Sequence, residues 1–201
     1  IQAMDPAKVD GLVELLAELA RDRQVVVFSH DDRLPAAVRR SSLDARILEV
    51  TRGQGSRVSV STLTDPSTRY LNDAFGLIAE READRLAEFA VRRTLPGLLR
   101  FATEAAAKDT FFSRAIKDGA ALAEVEDAWQ AAGTTRKKVT LAVFGEPRPD
   151  HELDGWASAP YRKFALRNVG TAMHNGLKPE LDPSEAAKDV ERLIKDLKAV
   201  G

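Results

Sequence analysis

The chain contains no cysteine, which excludes disulfide bonds and thiolate metal sites together. It contains no G-x-x-x-x-G-K-[ST] loop, so no segment of it can cradle a triphosphate with backbone amides in that way. No apolar run approaches the ~18 residues that a membrane-spanning helix needs, and no signal peptide is visible. The expectation is a cytoplasmic protein with no membrane partner. Excess charge of either sign is missing as well, since 30 basic side chains face 31 acidic ones for a net charge of -1. That balance gives no global argument for nucleic-acid binding, although a local basic patch is compatible with it. What is present is ordinary for a globular protein: 201 residues, 44% apolar and 30% charged, enough for one generous core or two small ones.

Up to Leu63 the chain has an α/β rhythm. Asp5 is a good N-cap and Pro6 suits the first helical position. Val9, Leu12, Val13, Leu15, Leu16 and Leu19 then recur at helical spacing, predicting a helix with one face on a core. The next stretch, Gln24 to Asp32, reads Gln-Val-Val-Val-Phe-Ser-His-Asp-Asp. Val25 to Phe28 are apolar without alternation, the pattern of a strand buried on both faces of a parallel sheet. His30 falls just beyond the carboxyl end of that strand, where ligand chemistry in such sheets is found. A short helix over Leu34 to Arg40 follows. Ala45 to Arg52 and Arg57 to Leu63 then flank the turn signal Gly53-Gln54-Gly55 as a β-hairpin.

At Asp65-Pro66 the character changes and almost everything reads as helix. The spacing predicts helices over Tyr70 to Thr94, Pro96 to Lys108, Phe111 to Lys117, Ala121 to Ala131 and Thr135 to Phe144. Gly145 to Asp150 reads as a loop, Trp156 to Met173 as a long helix, and Asp182-Pro183 as the start of a last helix through Ala199. The fold class expected is α/β followed by all-α, with a domain over residues 1–64 and a helical bundle over 65–201.

The order Met4-Asp5-Pro6, helix, all-apolar strand, Ser29-His30-Asp31, short helix and hairpin resembles the last part of an ABC-type ATPase head. The heads it resembles are those of RecF-like and structural-maintenance-of-chromosomes ATPases, and the resemblance covers about the first third of the chain. It implies a partial ATPase lobe of helix, buried strand, short helix and hairpin. In it Asp5 is the D-loop aspartate and His30 the switch histidine of a composite catalytic site. Ser29 and Asp31 shape the loop that presents His30 to the nucleotide. Catalysis in such heads rests on positioning and charge stabilisation around the γ-phosphate. The resemblance implies ATP and Mg as cofactors of a longer parent protein, with neither held tightly here. The phosphate loop, a Leu-Ser-Gly-Gly-like signature and an acidic pair closing a strand are all missing. The implied partners are the N-terminal part of the same ATPase, a second copy in a homodimer, and DNA during repair, recombination or chromosome maintenance. The chain is therefore expected to be a C-terminal fragment that does not hydrolyse ATP alone. The plainer alternative is that His30 is a packing or capping residue.

Arg167, Asn168 and His174 lie in Leu-Arg-Asn-Val-Gly-Thr-Ala-Met-His-Asn-Gly. Arg167 and His174 are seven residues apart, so two helical turns put them on one face. The motif resembles the R-x(4-6)-H pattern of HEPN domains, helical bundles that often act as metal-independent ribonucleases after dimerising. A histidine moves protons near neutral pH and an arginine stabilises a pentavalent phosphate. This implies a ribonuclease domain attached to an ATPase, with phage defence as one setting. A third reading is a non-catalytic bundle that recruits a partner, in which Arg167 pairs with a carboxylate and His174 caps a helix end.

Weaker signals are His151 among Asp150, Glu152 and Asp154 as a metal-binding loop, and Arg92-Arg93 and Arg136-Lys137-Lys138 as phosphate contacts. No motif spacing supports the metal loop, and short basic runs usually lie on solvated helix faces. Phe111, Phe112, Trp129, Phe144, Trp156, Tyr161 and Phe164 fall at core spacing and read as bundle packing.

Overall fold

The computed structural model describes residues 6–30, 33–41, 43–52, 54–63 and 65–200, giving the backbone alone for 6, 7, 54 and 171–174. Among these residues the protein is mostly helical, with nine α-helices and one two-stranded antiparallel sheet. It divides into two compact units, Ile1–Leu63 and Thr64–Gly201.

In the first unit, α1 (Pro6–Leu19) and α2 (Arg33–Arg40) form a small two-helix core. Val9 and Val13 are buried against Leu34 and Ala37, with Leu12, Leu16 and Val38 packed around them. Arg40 Nη2 donates to Asp10 Oδ1 at 2.7 Å across the pair. Leu15 and Leu19, part of the apolar stripe in the sequence, stay exposed, because a single short partner helix covers only one side of α1.

The hairpin consists of β1 (Leu48–Arg52) and β2 (Val58–Thr62). Leu48 lies opposite Thr62, Val50 opposite Val60, and Arg52 opposite Val58. Directly opposed residues share a face, so Leu48, Val50, Val58 and Val60 form one apolar side. Glu49, Thr51, Ser59 and Ser61 form the other, where the Thr51 and Ser59 hydroxyls lie 2.6 Å apart. The connecting turn passes through Gly55 at φ 65°, a left-handed conformation that glycine adopts without strain.

The buried strand expected over Val25 to Phe28 is not formed. Residues 24–29 have no regular secondary structure, and Val26 and Phe28 are 65% and 88% exposed. The physical reason is that a strand apolar on both faces is stable only between neighbours in a sheet. The only sheet among the described residues is the hairpin, and it does not extend to this segment.

The second unit is an all-helical bundle: α3 (Pro66–Glu82), α4 (Glu88–Lys117), α5 (Leu122–Ala131), α6 (Thr135–Phe144), α7 (Asp150–Trp156), α8 (Pro160–Asn175) and α9 (Pro183–Lys198). The long α4 is central, packing on α3, α5, α6, α8 and α9. Leu95, Leu99, Ala102 and Ala106 of α4 join Val139, Leu153, Val169, Val190 and Leu193 in one core. Phe111, Phe112 and Trp129 close one end with ring centroids 6.0 to 6.3 Å apart. Two of the Asp-Pro start signals are N-caps in fact. Asp65 accepts from the Thr68 amide at 3.1 Å and Asp182 from the Glu185 amide at 2.9 Å.

Three boundaries differ from the sequence expectation. The helix expected to end at Thr94 stops at Glu82, and α4 runs unbroken from Glu88 through Pro96 to Lys117. The chain reverses at residues 83–87 instead, where Asp84 takes φ 54° and Arg85 donates back to Glu80 at 2.7 Å. Asp150–Trp156 is a separate helix, not the end of a loop, and Pro160 starts α8 at a first-turn position that tolerates its missing N–H. Phe164, expected in the core, is 48% exposed, because its side of α8 faces away from α4 and α9.

Candidate functional site

His30 is exposed and follows the irregular 24–29 segment. Asp5 and Asp31, the other members of the expected nucleotide site, lie outside the described residues, while Ser29 is exposed beside His30. The described residues present Ser29 and His30 to solvent.

In the second unit the chain positions the α8 motif through one backbone device. Pro96 has no N–H, so the carbonyl of Arg92, one turn earlier in α4, loses its helical donor. Leu177 N–H fills that vacancy at 2.7 Å. Gly176, at φ 78°, makes the approach possible: a Cβ there would lie 3.1 Å from the Arg92 oxygen and 3.6 Å from Arg93 Cα. Arg92 completes the join. Its Nη1 donates to the carbonyls of Lys178 at 2.7 Å and Leu181 at 3.0 Å, and its Nε pairs with Glu88 at 2.6 Å. The chain just after α8 is thereby fixed against the first turns of α4.

Arg167 is exposed and Asn168 half-buried on α8; the His174 side chain lies outside the described set. Of the two arginines flagged as phosphate contacts, Arg92 is consumed by the join, whereas Arg93 is exposed. The sequence signal for this device was Pro96 within an otherwise helical pattern, read there as a helix start.

The other candidates are occupied structurally. Arg136 binds Asp154 and the Asp150 carbonyl. Lys138 Nζ lies 2.6 Å from Glu104 Oε2 and 5.3 Å from the Trp129 ring centroid. Glu104 also accepts from Arg100 at 2.7 Å and Thr135 at 2.5 Å. Burial pushes the Glu104 carboxyl up, but its hydrogen bonds to Lys138, Thr135 and Arg100 and the Lys138 charge outweigh this and hold it below the usual carboxylate range. His151 is exposed, and no group of three or more metal-ligating side chains occurs among the described residues. A shallow cavity of about 580 Å³ at the α3–α4 turn is lined by Arg81, Asp84, Arg85 and Glu88. Its arginines are already paired, Arg81 with Glu82 and Glu88, and Arg85 with Glu80.

No helix among the described residues is long and apolar enough to cross a membrane. Comparison of the chain with protein-family models, with curated proteins and with solved structures finds no match.

Proposed function

We propose that residues 1–64 form part of an ABC-type ATPase lobe, in which His30 senses the γ-phosphate and Asp5 shapes the attacking-water site. The lobe is completed by polypeptide beyond this chain, and the whole protein couples ATP and Mg to work on DNA. One observation carries this reading. Of the 13 exposed large apolar residues among those described, ten lie in the first unit: Leu15, Leu19, Val26, Val27, Phe28, Leu43, Leu48, Val50, Val58 and Val60. Exposed apolar surface concentrated in that way marks an interaction face. The run Val25 to Phe28 is apolar without alternation and leads to an exposed histidine, the pattern of a sheet strand that needs neighbours. The test is ATP turnover by a protein that includes this segment together with a phosphate loop. His30→Ala is expected to lower turnover on the order of 10²-fold with ATP binding retained. Unchanged turnover defeats the reading.

The join at Leu177 favours a second reading for residues 65–201, a HEPN-like metal-independent ribonuclease centred on Arg167, Asn168 and His174. The join holds the chain just after α8 on α4, and general acid–base chemistry on a phosphodiester needs such fixed positioning. RNA cleavage in the presence of chelator, lost in His174→Ala, supports it. Partner capture that is indifferent to Arg167 and His174 supports the non-catalytic bundle instead.

A further inference from the structure

We infer that the first turns of α4 carry a contact strip for single-stranded RNA beside the end of α8, with Arg93 on a phosphate and Phe89 against a base. The choice of RNA rests on the ribonuclease reading; the strip itself rests on five observations.

Phe89 is 75% exposed, among the barest of the large apolar side chains in the bundle. Arg93 follows it by four residues, so the two are neighbours on one helix face, about 6 Å apart along the axis. The surrounding cations are engaged. Arg92 holds Glu88 and two carbonyls, Arg81 holds Glu82 and Glu88, and Arg85 holds Glu80. Arg93 has no carboxylate partner among the described residues, so an approaching phosphate meets an uncompensated charge. The nearest carboxylate in sequence, Glu88, is neutralised by Arg92 at 2.6 Å and Arg81 at 3.4 Å, so no free negative charge on that turn repels a phosphate. Finally, the Gly176–Arg93 approach sets the chain just after α8 against this same stretch of helix. A strand held by Arg93 and Phe89 thus lies beside the chain that follows α8.

An exposed aromatic beside an unengaged arginine on a rigid helix is the elementary unit of single-strand binding. The ring stacks on a base of any identity, and the guanidinium meets the backbone. An interface between protein chains would need a broader apolar face, and α4 offers Thr94 and Arg93 there instead.

The test uses the whole chain and a labelled 12-residue oligouridylate, read by fluorescence anisotropy and, separately, by cleavage on a gel. Phe89→Ala and Arg93→Glu are each expected to weaken binding by about tenfold. Arg93→Glu is also expected to lower the dependence of log affinity on log salt by about 0.7. Both positions are exposed, so melting temperatures should match the unaltered chain. His174→Ala separates the two ideas, because it is expected to stop cleavage and leave binding intact. Binding that needs Phe89 and Arg93 without any cleavage keeps the strip and defeats the ribonuclease. Cleavage or binding indifferent to both residues defeats the strip. A chain that binds no oligouridylate at low salt, or whose Phe89→Ala form loses only self-association in light scattering, defeats it too.

Discussion

The amide of Leu177 donates to the carbonyl oxygen of Arg92 at 2.7 Å, and that oxygen is available because Pro96 cannot use it. A proline in mid-helix usually costs about 3 kcal/mol. Here the orphaned carbonyl is answered from another helix, so the defect in α4 becomes the attachment point of the segment after α8. Gly176→Ala tests the geometry. The left-handed backbone at φ 78° and a Cβ 3.1 Å from the Arg92 oxygen both oppose a side chain. Urea denaturation is expected to show a loss of about 1–2 kcal/mol, with faster hydrogen exchange at the Leu177 amide. Equal stability would show that the close approach is not needed.

Asp65 links the first turn of α3 to the end of α9. Burial raises its carboxyl. The Ser67 and Thr68 side chains, the Thr68 amide and the Lys198 charge outweigh that and hold it well below the ordinary 3.8. A carboxylate depressed in the folded state contributes stability that is full above its unfolded value and fades as pH falls through its folded one. The window is therefore below about pH 4. Asp65→Ala is expected to cost about 1 kcal/mol at pH 7 and to flatten the decline in stability between pH 4 and 2, followed by denaturant midpoints.

Glu104 gathers Arg100, Thr135 and Lys138 onto α4, with 16% of its side chain exposed. Removing the carboxylate takes the acceptor from the partly buried Lys138 ammonium. Glu104→Ala is expected to destabilise the chain by about 2–3 kcal/mol. Adding Lys138→Met should recover part of that loss, because the methionine relieves the stranded charge and can still lie on Trp129. A double-variant cycle with no coupling would show that the cluster is ornamental to stability.

Val60→Lys addresses the apolar side of the hairpin. Val50 and Val60 face each other and are 62% and 60% exposed, so the change should alter stability by no more than about 0.5 kcal/mol. It should also reduce concentration-dependent light scattering by interrupting an open apolar edge. In a protein that includes the rest of the lobe, the same change should impair its assembly. Stability lost in the chain itself would show that the face is already covered.

Much of the local structure was legible because its causes are local. The Asp-Pro starts at Asp65 and Asp182 cap real helices, since the carboxylate and the amide three residues on meet without help from elsewhere. The hairpin followed from β-branched runs around a glycine turn. Leu15, Leu19 and Phe164 were misread as core, because periodicity gives the apolar face of a helix but not how much of it a neighbour covers. His30 was legible as a residue at the end of an apolar run; its exposure was not.

The amino-acid order by itself determined the caps at Asp65 and Asp182, the hairpin, the amphipathic stripes and the absence of cysteine chemistry, all of which depend on the residue types or on residues a few positions apart. Tertiary structure alone decided that Pro96 would sit inside α4, that Arg92 would be spent on the chain after α8 while Arg93 stayed outside, and that Val25 to Phe28 would lack a sheet. Each of those outcomes depends on whether a distant group supplies a hydrogen bond or a covering surface, and spacing along the chain carries no record of that.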